Sequence, residues 1–534
     1  MTRTRLPLPR TRLPIPRTRL PLTFTAGAAA LAFLTTACGG GNSASSGTAK
    51  TQDPNVLTVA SAIAPNSLNP GLGGSSDPQQ YFFELAYDTL IRQAPNGTYT
   101  PALATKWGFV GSGSKTFDIT LRSGVKFNDG SALNATGVKN SLQYYAKAGG
   151  PLAADLAPVG AIDVVSDLQL RIHLKTSDPL LPLYLSRPTT GEIISPVGLK
   201  KTAELGTTTH GAGPYVVDKA QTVSGQTYTY VPNPTYYDKS RVHWKKVVVK
   251  VIKDENSTLS ALRSGEVDYA LGDSTTAKSA KSAGFQVMSS PYSIMELMIQ
   301  DRAGTMVKAL GDLRVRQAMM YGINRDSIAK ALYGTYAKGW DYPVLAGTSG
   351  YTQGSEGKYA YDVAKAKKLL AQAGYPNGFT LPITVNLTGV GESQAAEAFA
   401  AEMANIGINV KINVPANVNE LFSTYSKYAG MMFDYGDGIS PPYAQGNDLL
   451  YSWGNPLKVS DKQLDTLYSQ AASAATAELQ EQGWQKFEQR LSDLSWTIPM
   501  VSMEKIVYVR PGLKGVDLST TNLTPDLTSL YAAK

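Results

Sequence analysis

Apolar residues along this chain alternate with polar ones over short runs, then recur at helical spacing, and the two periods take turns through most of its 534 residues. Phe117, Ile119 and Leu121 mark one face of a strand, whereas residues 247–252 are apolar apart from Lys250, the pattern of a strand buried on both faces. Residues 57–62 read as another strand and residues 79–91 as an amphipathic helix. The second half has a strand–helix rhythm. A helix over 362–373 stops at Gly374, a strand covers 381–387, a helix over 392–406 stops at Gly407, and a strand follows over 409–414. Glycine just past a helix supplies the left-handed residue that turns the chain back. Helical stretches at 461–475 and 477–495 precede a last strand at 506–509. Alternation of this kind implies an α/β fold of two or three domains, with a chain that returns late to an early sheet.

The first residues break the rhythm. Arg3, Arg5, Arg10, Arg12, Arg17 and Arg19 lead into an apolar and small-residue stretch over 20–37, which ends at Cys38, the single cysteine. This layout is that of an export signal over 1–37. Thr35-Thr36-Ala37-Cys38-Gly39-Gly40 resembles a bacterial lipobox with Thr35 where Leu is usual. That resemblance implies cleavage before Cys38, lipidation of its thiol, and anchorage on the outer face of the cell membrane. Residues 38–54, rich in Gly, Ser, Ala and Thr, then form a flexible tether.

The leader also changes the meaning of the charge. A net charge of +8 suggests nucleic acid or an anionic membrane as partner, but six of the basic residues belong to the leader, and without them the excess is +2. No nucleic-acid partner is expected. Beyond the leader no apolar run approaches the ~20 residues of a membrane span.

Catalytic and cofactor motifs fail on inspection. His210-Gly211-Ala212-Gly213 looks like an oxyanion loop and Gly391-Glu392-Ser393-Gln394-Ala395 like a nucleophile elbow, but the elbow lacks its last glycine. Its serine also needs a histidine downstream, and His173, His210 and His243 all lie upstream. Those histidines are too dispersed for a local zinc set, and neither Gly71-Leu72-Gly73-Gly74 nor Gly111-Ser112-Gly113 completes a phosphate-binding loop. The expectation is a protein that is not an enzyme, with no cofactor and no metal.

Collinear motifs carry a more specific signal. Pro101-Ala102-Leu103-Ala104-Thr105-Lys106-Trp107 is followed by Thr116-Phe117-Asp118-Ile119-Thr120-Leu121-Arg122-Ser123-Gly124-Val125-Lys126-Phe127-Asn128-Asp129-Gly130. Gly211-Ala212-Gly213-Pro214-Tyr215, Asn233-Pro234-Thr235-Tyr236-Tyr237, Ser264-Gly265-Glu266-Val267-Asp268, Asp312-Leu313-Arg314-Val315-Arg316-Gln317-Ala318, Ile323-Asn324-Arg325 and the segment 364–375 come after it in order. Together they resemble the extracellular solute-binding proteins of ABC importers, family 5. One departure is Asn134-Ala135-Thr136-Gly137-Val138, where the family has Thr-Ala-x-Asp-Val.

The resemblance implies a two-lobed periplasmic-binding-protein fold of type II, large class, closing on ligand by a hinge. Lobe I is expected over 55–82, 196–290 and 502–534, with an extra subdomain over 83–195, and lobe II over 291–501. It further implies a monomer that captures a short peptide and delivers it to ABC permease subunits, with nickel complexes, oligosaccharides or a sensing role without transport as alternatives. Peptide-binding relatives hold the ligand's ammonium group with an aspartate. The corresponding stretch is Met431-Met432-Phe433-Asp434-Tyr435-Gly436-Asp437-Gly438, in which Asp437 is the first candidate and Asp434 the second, with Tyr435 between them. Ser75, Ser76 and Tyr81 fall in an early loop that faces the cleft in relatives, Tyr215 follows the Gly-Pro turn near the hinge, and Tyr292, Met295 and Trp453 are candidate apolar walls. Arg314 and Arg316 fall on a helix and read as structural.

Overall fold

The computed structural model describes residues 53–533 except 74–78, 95–97, 112, 151–152, 188–189, 387–390, 436–441, 475–476 and 519–523, and it does not describe the side chains of residues 154, 418, 419, 435 and 477. The leader, Cys38, most of the tether, Ser75, Ser76 and Asp437 lie outside the described residues.

The strands that build the fold are β1 (Val56–Ser61), β2 (Ala104–Phe109), β3 (Thr116–Leu121), β4 (Val159–Ser166), β5 (Gln169–Leu174), β6 (Tyr215–Val217), β7 (Thr227–Pro232), β8 (Lys246–Val251), β9 (Tyr269–Gly272), β10 (Gln286–Ile299), β11 (Ala337–Gly339), β12 (Thr380–Val385), β13 (Asn409–Asn413), β14 (Gly430–Tyr435) and β15 (Thr497–Val509). The helices around them include α1 (Tyr81–Glu84), α2 (Ala135–Ala148), α3 (Leu181–Tyr184), α4 (Glu255–Arg263), α5 (Ala277–Ser282), α6 (Leu313–Tyr321), α7 (Arg325–Tyr333), α8 (Val363–Gln372), α9 (Glu392–Asn405), α10 (Pro442–Tyr451), α11 (Lys462–Ala472) and α12 (Ala477–Leu494).

One sheet runs in the order β13-β12-β14-β10-β15-β9-β1-β8-β7-β6, with β11 joined to the side of β15. Its near end follows from sequence: β8 reads Lys-Val-Val-Val-Lys-Val, and Val247 and Val249 are fully buried. β8 lies parallel to β1 from Val56↔Lys246 to Ser61↔Val251, and parallel strands need cover on both faces. Leu259, Leu262, Ala277 and Ala280 of α4 and α5 supply one cover, packing with Ile506 and Tyr508.

β10 and β15, at 14 and 13 residues, are more than twice the usual strand length. They pair antiparallel from Gln286↔Val509 to Met298↔Thr497. The half nearer Val509 joins β9, while the half nearer Thr497 joins β14 through β10. The same two strands therefore pass from one core, containing Leu57, Phe117, Val247 and Val507, to another containing Met295, Ile383, Phe399 and Met432. Their register breaks between Pro291 and Ser293, where Tyr292 is the extra residue. A bulge bends a strand and tolerates proline.

A separate sheet, β2-β3-β5-β4, is inserted in the first half. Phe117, Ile119 and Leu121 are buried and their neighbours are not, as alternation predicts. Asn134 takes over the start of α2, its side chain accepting from the Gly137 amide at 2.8 Å. The amide side chain thus caps the helix at the position where the family has Thr, while the family's acid aligns with Gly137.

Helices read from periodicity end where their glycines require: α8 spans Val363–Gln372 with Gly374 at φ +91°, and α9 spans Glu392–Asn405 with Gly407 at φ +93°. The helix expected over 79–91 is a correction. Only Tyr81–Glu84 is helical, and Ile91 begins a short strand. Tyr81, Phe82 and Phe83 are all fully buried, so this segment enters the core on every side instead of lying on it with one apolar face. Among the described residues no helix is long and apolar enough to cross a membrane.

Candidate functional site

The strand directions locate the site. In open α/β sheets ligands bind outside the carboxyl ends of the parallel strands. β9 approaches the middle of β15, running from Tyr269↔Val509 to Gly272↔Ile506, and β1 is parallel to it. From the other side β14 runs from Gly430↔Ile299 to Tyr435↔Ile294, parallel to β12. Both sets therefore end toward the Tyr292 bulge of the crossing strands.

Residues in direct register share a face of the sheet, which sorts the candidates. Asp434 stands opposite Met295, and Met295 opposite Val501. Met295 is fully buried among lobe II core residues, while Asp434 is half-buried at the end of its strand. Lys505 follows Val501 and Met503 along the same face of β15, is 4% exposed, and lies 5.6 Å from the centroid of the half-buried Tyr292 ring. The structure thus gathers Asp434, Met295 and Tyr292 around the crossing. Tyr435 pairs its backbone with Ile294.

A second group surrounds Asp434. Tyr333, at the end of α7, has its hydroxyl pushed up by burial and then by the carboxylates of Asp434 and Glu392. Glu392 opens α9 and is 3% exposed. Gly391 permits this approach, because a Cβ there would lie 2.8 Å from the Tyr333 hydroxyl oxygen. Sequence reading missed Tyr333, Glu392 and Lys505 as site residues. Lys505 left only a faint signal, a charge directly before the apolar run 506–509.

Other candidates sit elsewhere. Tyr81 is fully buried in the lobe I core, edge-on to Tyr269 at 6.4 Å, and Tyr215 is 1% exposed with its hydroxyl accepting from the Trp244 amide at 3.1 Å. Both rings are packed in the lobe I core. Trp453 packs on Phe433 at 5.0 Å, and Phe433 points to the face opposite Asp434. The Gly211 and Gly213 turn is a close approach of backbones: a Cβ on Gly213 would lie 2.4 Å from the Ala86 carbonyl carbon. Arg316 is 5% exposed and donates to the carbonyls of Leu494 and Leu310, a structural role. His173 pairs with Asp163 and His210 with Asp129, while His243 lies against Tyr531.

The inserted subdomain also reaches toward lobe II. The Tyr184 hydroxyl of α3 is raised by burial and by Asp178 and Asp155, with a smaller influence from Tyr443 at the start of α10. Burial pushes the Asp155 carboxyl up to about 6, Arg187 pulling it down and Asp178 adding to the rise. Among the described residues no three of His, Cys, Asp and Glu are grouped to hold a metal ion.

Comparison with known proteins follows the same lines. The family described as "Bacterial extracellular solute-binding proteins, family 5 Middle" matches residues 98–460. The glutathione-binding protein GsiB of Salmonella typhi is 29% identical over 306 residues, covering 56% of this chain and 57% of that relative's length. The ABC transporter substrate binding protein CtaP from Listeria monocytogenes superposes with a TM-score of 0.74 at 20% identity, covering 90% of this chain and 100% of the other. NikA from Brucella suis, in complex with Fe(III)-EDTA, gives 0.76 at 20% identity, covering 90% and 100%. The shared fold is the two-lobed periplasmic-binding-protein fold.

Proposed function

This chain belongs to the bacterial extracellular solute-binding proteins of family 5, and we propose that it captures a short peptide between its lobes and delivers it to the permease of an ABC importer. The observation that carries the reading is the placement of Asp434 and Lys505 on one face of the crossing strands, at either end of the buried Met295 and Val501. Their backbones are two strands and four residues apart, roughly 16 Å by strand geometry. Side chains reaching inward shorten that gap to the span of about three extended residues. A zwitterionic peptide of that length presents an ammonium group to the acid end and a carboxylate to the basic end. Glutathione, which the Salmonella typhi relative is named for binding, is itself a tripeptide.

Asp437 and Asp434 are the acids assigned to the ammonium group, with Ser75, Ser76, Tyr292 and Tyr435 around the ligand. Backbone groups at the end of β14 and at the Tyr292 bulge of β10 pair with its main chain, as in strand addition. The Tyr292 bulge is where the long strands bend, so hinge closure repositions the lobes without breaking either core. Cys38, lipidated, tethers the receptor to the outer face of the membrane near its permease.

The test is a thermal-shift panel on the purified protein with di- to pentapeptides, a nickel chelate and a cello-oligosaccharide. Stabilisation by peptides of about three residues is expected. Stabilisation by the sugar or the chelate alone would replace the peptide reading.

A further inference from the structure

The face of β10 turned away from Asp434 buries a set of oxygen atoms that the cleft does not use. Glu296 shares this face with Phe433, its register partner, and is 1% exposed. Glu488, on α12, is 0% exposed. Ser492, 3% exposed, is one turn further along α12 and so lies on the same side of the helix. Both carboxyl oxygens of Glu488, Oε2 of Glu296 and Oγ of Ser492 are buried without a hydrogen-bond partner. Tyr342 feels the Glu488 charge, and Thr497 lies against Glu296. Gly350 closes the space above. A Cβ there would lie 3.0 Å from Glu488 Cγ and 3.2 Å from Pro442 Cγ.

Among the described residues, Glu488 has no cation acting on it, whereas Glu296 has Arg302. The charges that act on Glu488 are Glu296 and Glu481, both repulsive. Glu481 is itself held by the Ser349 hydroxyl and the Gly350 amide. Arg302 does act on Glu296, but its guanidinium donates to the carbonyls of Ile299, Leu449 and Gly454 and stacks 4.5 Å over Trp496.

Native proteins pair nearly all their buried polar atoms, through an ion or water where no protein group serves. Two protons would neutralise the acids, each donating to one neighbouring oxygen at most. A divalent cation balances both charges and accepts several oxygens at once, and a set made only of carboxylate and hydroxyl oxygens suits a hard ion of calcium's class.

We propose that lobe II holds a structural hard divalent cation between Glu296 and Glu488, with the Ser492 hydroxyl as a further ligand. The ion enters as the two carboxyl protons leave to solvent. Glu296, Glu488, Ser492, Tyr342 and Thr497 are each 3% exposed or less, and the site lies across the sheet from the cleft, so it is independent of the peptide reading.

The experiment uses the purified full chain, stripped with EDTA and then melted with calcium, magnesium or sodium chloride at matched ionic strength, with bound metal counted by mass spectrometry. Calcium is expected to remain at about one ion per chain and, at a hundredfold excess over Kd, to raise Tm by about 3 °C. Magnesium should do less, because it dehydrates reluctantly. Glu488→Gln should melt in EDTA no lower than the unaltered chain and lose the calcium response. Should that variant fail to fold, Ser492→Ala takes its place, with a weakened calcium response expected. No retained metal and no shift with any salt, a response to sodium alone, or an undiminished calcium response in the variant that folds would each overturn the proposal.

Discussion

Replacing Asp434 by asparagine removes one negative charge from the cleft floor while keeping the side chain's shape. A hydrogen bond to a charged group contributes about 1.5–3 kcal/mol. Two features place this pair toward the lower end. Asp434 is only half-buried, so water screens it in part, and Glu392, which acts on the same Tyr333 hydroxyl, keeps some negative potential in place. A loss of about 1.5–2 kcal/mol corresponds to ten- to thirtyfold weaker binding. The assay is calorimetry with Ala-Ala-Ala and with its N-acetyl form. The unaltered protein should prefer the free amine, and Asp434→Asn should lose most of that preference while still binding the acetylated peptide equally well. An undiminished preference would refute the assignment of Asp434 and leave Asp437 as the partner.

Gly213→Ala drives a methyl group into the Ala86 backbone, whose carbonyl carbon would be 2.4 Å away; a cost of about 1–3 kcal/mol is expected, read as a lower urea midpoint with unchanged slope. Asp155→Asn should change the pH dependence of stability. The folded carboxyl stands at about 6, above its ordinary value, so its favourable contribution is complete below pH 4 and is lost as pH rises to about 6. The variant should therefore match the unaltered protein near pH 4 and exceed it by about 1.5 kcal/mol at pH 7, after a discount for partial exposure. Equal denaturation curves at both pH values would contradict this. Cys38→Ala should abolish palmitate labelling in bacterial cells and release the protein from the membrane fraction, and retained label would refute the lipobox reading.

Sequence pattern was most informative where one face of an element meets one core. α8, α9 and α11 follow their apolar periodicity; the side chains of Asp362 and Asp461 cap α8 and α11, while α9 starts at Gly391 without a side-chain cap. It failed where burial comes from all sides. Tyr81-Phe82-Phe83 looked like the apolar face of a helix, but all three rings are buried and the helix ends after one turn. The full length of β10 was hidden for another reason, since Pro291 and Tyr292 interrupt its alternation at the bulge that joins its two halves. Within the candidate site, motif resemblance pointed to Asp434. Tyr333 and Glu392 come together through α7, α9 and Gly391, a convergence no local spacing encodes. With 29 tyrosines in the chain, residue type could not separate Tyr292, at the bulge, from Tyr81 and Tyr215, in the lobe I core.

The most direct test of the central claim is mass spectrometry of whatever small molecule copurifies with the chain when it is isolated without denaturation. The account predicts a mixture of short peptides, about three residues long, with free amino termini. A homogeneous sugar or metal chelate in their place would contradict it.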